Sequence, residues 1–110
     1  MNIYDTANNL AREIKDSEEY KQYAKIKKVI SENKDKKAKL DEFEKIRYST
    51  QLEAMQGKTQ DDNLMKQLQD TYMKLIEDEQ IKSYFDAEMK FNVMIADVNK
   101  IIAEAVKDVL

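Results

Sequence analysis

The chain has 110 residues with a formal net charge of −3; 37% of residues are charged and 42% apolar, and there is no cysteine, histidine, tryptophan or proline and a single glycine. That length bounds the chain to one domain, residues 1–110, and so many charges without glycine or proline punctuation describe long soluble helices rather than sheets. Disulfides, thiolate metal sites, His-containing di-metal bundles and the commonest nucleophile–base pairs are excluded by residue type.

Ile3, Ala7, Leu10, Ala11 and Ile14 recur at helical spacing and predict a first helix over about residues 3–15. Ser17-Glu18-Glu19-Tyr20 reads as a cap and an acidic first turn, opening a second helix with Tyr20, Tyr23, Ile26, Val29 and Ile30 on one side. Asn33-Lys34-Asp35 marks a break, with Asp35 expected to cap a third helix that turns Leu40, Phe43, Ile46, Thr50 and Ala54 inward. Gly57-Lys58-Thr59 is the clearest turn, and Thr59 with Asp62 resembles a capping box that uses the shorter acid. The fourth helix carries Leu64, Met65, Leu68, Tyr72, Leu75 and Ile76 on one face. Asp78-Glu79-Gln80 either interrupts this helix or passes straight into the terminal stripe; a break or kink there, with Asp78 as cap, is the expectation.

The last segment holds the strongest pattern. Ile81, Tyr84, Glu88, Phe91, Ile95, Val98, Ile102, Ala105 and Val109 alternate by three and four, and Glu88 alone interrupts a small or apolar series. About 30 residues at 1.5 Å each make a rod of roughly 45 Å, whose stripe needs a cover of similar length. The expected fold is all-α: an elongated helical hairpin or bundle with a long C-terminal helix, dimer-forming. Tyr84, Glu88, Phe91, Ile95, Val98, Ile102 and Val109 form the expected dimer interface. Within it, Glu88 reads either as a seam-edge residue or as a buried polar group that fixes register.

The remaining chemistry is sparse. Asp61/Asp62, Asp86/Glu88 and Asp41/Glu44 read as solvated charge. The tyrosines are expected at inward or boundary positions, and Met65, Met73, Met89 and Met94 as core filling. Residues 15–47 hold eleven basic and eight acidic side chains, whereas residues 60–110 hold six and eleven. Opposite signs favour antiparallel packing of front on back, in the same or a neighbouring chain. The basic region Lys25–Lys39 is interleaved with acids, and overall acidity argues against nucleic acid as a partner. An RNA-associated accessory role for Lys25–Lys39 is the alternative reading. Neither a signal segment nor a membrane span is expected. No catalytic, cofactor or metal residues are assigned, and the protein is read as a non-enzyme.

The order Ile3-Tyr4-Asp5-x-Ala7-x-x-Leu10, Ser17-Glu18-Glu19-Tyr20, Phe43, Gly57 and Ile81-x-x-Tyr84-x-x-Ala87-Glu88, followed by Ile95, Val98 and Ile101-Ile102, resembles the YlbF/YmcA family. It is most similar to the YheA-like UPF0342 branch. The resemblance implies a dimer-forming all-α protein of the Gram-positive cytoplasm. Its relatives YlbF and YmcA act with YaaT as an adaptor complex tied to competence, sporulation, biofilm formation and RNase Y-dependent mRNA maturation. Partners so implied are a second copy, homologous family subunits or another protein. Iron–sulfur clusters associated with those relatives are held by cysteines, so that cofactor does not carry over to a cysteine-free chain.

Overall fold

A computed structural model describes residues 2–59 and 61–110 as five α-helices: α1 (Ile3–Asp16), α2 (Glu18–Ser31), α3 (Lys34–Met55), α4 (Asp62–Leu75) and α5 (Glu79–Val106). Among the described residues there is no strand. The fold class is therefore all-α with a long C-terminal helix, as the periodicity requires.

Short polar side chains set each boundary. Asn2 caps α1, its Oδ1 accepting from the Tyr4 amide at 2.7 Å. Ser17 serves two helices: its hydroxyl donates to the Ile14 carbonyl at 2.6 Å and accepts from the Tyr20 amide at 3.2 Å. One residue thereby ends α1 and starts α2, satisfying groups both helix ends leave orphaned. The cap of α3 is Asn33, whose side chain accepts from the Lys36 amide at 3.1 Å. This corrects the expectation for Asp35, which lies in the first turn and suits the positive helix end instead.

At the other end of α3, Gly57 adopts φ +70°, while Lys58 N–H reaches the Glu53 carbonyl at 3.1 Å and Gly57 N–H the Ala54 carbonyl at 3.2 Å. These paired bonds make a Schellman motif, and the left-handed residue is one that glycine takes without Cβ strain. The helix after it is capped by Asp61, which accepts from Asn63 and Leu64 amides at 2.8 and 3.4 Å. The expected Thr59–Asp62 box is thus corrected: the carboxylate of Asp61 reaches two amides at once, and Asp62 sits inside the helix. Asp78 caps α5 as expected, accepting from Gln80 at 2.9 Å and Ile81 at 3.3 Å.

The residues divide into two compact units. The first joins the chain up to Lys27 with Tyr84–Leu110; the second is Lys28–Ser83. In the second unit α4 packs back along α3. Glu53 Oε2 accepts from the Asp61 amide at 3.1 Å near the turn, and the Phe43 and Tyr72 rings meet at 6.1 Å further along. Ile30, Leu40, Phe43, Ile46, Thr50, Leu75 and Ile81 are buried there. Leu64, Leu68 and Ile76 are half-buried, while Ala54, Val29, Met65 and Tyr72 remain exposed. The buried stripe of α3 stops at Thr50, whose hydroxyl is satisfied by the Arg47 carbonyl at 2.7 Å. Lys36 closes the unit: its ammonium lies 3.0 Å from Asp78 Oδ2 and 2.7 Å from Gln80 Oε1.

In the first unit α2 packs against α5. Tyr23 lies beside Tyr84 and Phe91, with ring centroids 5.6 Å apart in both pairs, and Tyr20 lies 6.0 Å from Phe91. Residue numbers rise on α2 as they fall on α5, so the two helices run antiparallel. Tyr84, Phe85 and Ala87 are buried in this unit, and α1 buries none of its residues.

Candidate interaction surface

Helix α5 is 28 residues long, about 42 Å at 1.5 Å per residue. Its apolar stripe changes character along that length. Ile81 is 1% exposed and Tyr84 is buried; Phe91, Ile95 and Val98 are half-buried; Ile102 is 52% exposed and Val109 83%. Val109 lies past the helix end, in a turn where its amide reaches the Val106 carbonyl at 3.1 Å. The N-terminal part of the stripe is thus covered by its own chain, and the C-terminal part faces solvent.

Of the residues expected at the interface, the structure brings Tyr84, Glu88 and Phe91 together around Tyr23. The Tyr23 hydroxyl donates to Glu88 Oε2 at 3.3 Å and lies 3.5 Å from the Tyr84 hydroxyl. A half-buried carboxylate beside apolar rings is stabilised by such a donor, which repays part of its lost hydration. Ile95, Val98 and Ile102 continue the same face without joining that cluster.

Sequence periodicity alone missed a second apolar row. Met89, Val93, Met94, Val98 and Ile101 of α5 line an open groove of about 570 Å³ with Glu18, Glu19 and Gln22 of α2; Lys90 and Asp97 complete it. The signal lay in the sequence, since Met89, Val93 and Ile101 share one helix side, but the stronger stripe masked it. The methionines are corrected accordingly: Met65, Met73 and Met89 are exposed rather than core filling, and Met94 is half-buried in the groove wall. Tyr4 and Tyr48 are likewise exposed, against the expected boundary placement.

Four lysines of the Lys25–Lys39 region are engaged with their own chain. Lys36 pairs with Asp78, Lys37 with Asp41 and Lys39 with Asp35, at 3.0 to 3.2 Å, and the Lys27 ammonium sits 5.4 Å from the Tyr23 ring centroid. Cations so neutralised have less to offer a phosphate backbone. Among the described residues no group of three or more acidic side chains is placed to hold a metal, and no helix is long and apolar enough to cross a membrane.

Capped amphipathic helices with apolar faces left uncovered define a small all-helical protein whose distinguishing feature is surface. The chain belongs to the family described as control of competence regulator ComK, YlbF/YmcA, whose model matches residues 3–107. Similar relatives include UPF0342 proteins of Halothermothrix orenii, 34% identical over 93% of this chain and 86% of the relative, and of Symbiobacterium thermophilum, 35% identical over 94% and 93%. A third, from Clostridium novyi, is 32% identical over 98% of this chain and 95% of the relative. None of these three bears an enzyme name.

Proposed function

We propose that the protein is a non-enzymatic, cytoplasmic regulator that acts as a homodimeric helical adaptor. The observation that carries this reading is the end of the apolar stripe beyond Val98, where Ile102 is 52% exposed and Val109 83%. Exposed apolar area of this extent on a small domain marks a surface meant for another protein. The dimer seam runs through Phe91, Ile95, Val98, Ile102 and Val109, with Tyr84 and Glu88 at its inner end. The family's description supports a regulatory task, and resemblance to YlbF and YmcA extends it to competence, biofilm or RNase Y-related control.

Light scattering on the purified protein should return twice the mass of one chain. Ile95→Asp with Val98→Asp should dissolve that dimer or unfold it. Ile102→Asp separates the two outcomes, because its side chain is 52% exposed and its loss leaves the packed part of the fold intact. This variant should be monomeric with unchanged helical circular dichroism. A monomeric wild type would overturn the reading.

A further inference from the structure

Tyr23 and Tyr84 stand 61 positions apart in the chain and converge at their hydroxyl ends. The oxygens are 3.5 Å apart, the ring centroids 5.6 Å, and the ring planes are inclined at 55°. A phenol that loses an electron carries much of the unpaired spin on the carbons ortho to its oxygen. Those carbons lie two bonds from the oxygen, so converging hydroxyls bring the ortho edges of the two rings into one neighbourhood.

We propose that Tyr23 and Tyr84 form an oxidative modification site: a peroxide-derived one-electron oxidant joins them as dityrosine and so staples α2 to α5. The inference is independent of the dimer proposed above.

Access comes through Tyr23. It is half-buried and lines an open hollow of about 190 Å³ with Tyr20, Ala24, Lys27 and Phe91. A small oxidant reaches the ring there, and the Lys27 ammonium, 5.4 Å from the ring centroid, favours an anionic one. Tyr84 is 5% exposed and is therefore oxidised by way of Tyr23. Losing an electron makes a phenol strongly acidic, so oxidation is easier where a base already holds the proton. Glu88 Oε2 accepts from the Tyr23 hydroxyl at 3.3 Å and is that base. Tyr23 gives an electron to the oxidant and its proton to Glu88, and the radical then takes a hydrogen atom from the Tyr84 hydroxyl. A second oxidation of Tyr23 completes the pair of radicals. Their ortho carbons bond, and the hydrogens on those carbons move to the phenol oxygens. Two electrons and two protons leave in all; the electrons cleave the peroxide O–O bond, giving two waters when the peroxide is hydrogen peroxide. No cysteine, histidine or tryptophan competes for the oxidant. The new bond closes a loop that contains the whole of Lys28–Ser83, and a cross-link of that reach constrains the unfolded chain as a disulfide does.

Full-length protein at low concentration is irradiated with visible light beside tris(bipyridine)ruthenium(II) and persulfate, itself a peroxide. The expected product has the mass of one chain, shows dityrosine fluorescence and unfolds at a higher urea concentration than untreated protein. Trypsin should release residues 22–25 joined to residues 83–90, two hydrogens lighter than the separate peptides together. Tyr23→Phe and Tyr84→Phe keep the rings and should each abolish that product while helical circular dichroism is retained. The Tyr4→Phe/Tyr48→Phe double variant, which removes two exposed phenols, should keep it. Glu88→Gln should slow its formation several-fold without slowing coupling between chains through Tyr4 and Tyr48. A linkage through Tyr20 instead, or Tyr23 joined to Tyr84 only in species of twice the mass, overturns the site. An unchanged rate in Glu88→Gln overturns the proton transfer, and an unchanged urea midpoint overturns the staple.

Discussion

Asp78 ends the segment between α4 and α5 and holds three groups at once, so replacing it tests the local physics directly. Its carboxylate accepts from the Gln80 and Ile81 amides at 2.9 and 3.3 Å and pairs with Lys36 at 3.0 Å. A lost N-cap costs about 1 kcal/mol. The ion pair, with side chains 23% and 32% exposed, is partly screened and contributes up to about 1 kcal/mol. Asp78→Ala should therefore destabilise by about 2 kcal/mol, whereas Asp78→Asn keeps a capping acceptor and should cost about half as much. Urea unfolding followed by far-ultraviolet circular dichroism, at one protein concentration, reads both values. A double-mutant cycle with Lys36→Met isolates the pair. The Lys36 ammonium, hydrogen-bonded to the carboxylate, holds the Asp78 pKa below its ordinary value; burial opposes that shift, and the Ile81 and Gln80 amides reinforce it. A depressed folded pKa contributes stability that is complete above the unfolded value of about 3.9 and is lost as pH falls through the lower folded value. The gap between wild type and Asp78→Asn should be full at neutral pH and close below about pH 4. Equal losses in the Asn and Ala variants would refute the capping argument, and zero coupling to Lys36 would refute the ion pair.

Phe43→Ala empties a buried site that faces Tyr72 and should cost about 3–5 kcal/mol by the same unfolding measurement; a loss under about 1 kcal/mol would show that α3 and α4 do not share a core there. Gly57→Ala forces a side chain into φ +70° with no steric neighbour to blame, so a loss of about 1 kcal/mol should appear and Gly57→Asn should recover part of it. Glu88→Leu removes one acceptor of the Tyr23 hydroxyl and is expected to broaden the oligomer distribution seen by light scattering. An unchanged and more stable dimer would refute a register role for Glu88.

Helix existence and most helix ends were decided locally. Asn, Asp and Ser at breaks, one glycine at the sharpest turn, and apolar residues at three- and four-residue spacing act within a few residues, so Ser17, Gly57 and Asp78 could be assigned from the chain alone. Where two capping residues stood close together, sequence misjudged which would act. Asn33 rather than Asp35 and Asp61 rather than Thr59 became caps, because the choice depends on which backbone turn leaves its amides pointing at the side chain. Spacing also says which residues share a face but not whether anything covers it. Ile81 and Ile102 belong to one stripe, yet one is sealed and the other open, since burial requires a second helix alongside at that level. The same holds for α1, the groove and the exposed methionines. Periodicity is a property of one helix, and cover is a property of its neighbours, which only the tertiary arrangement supplies.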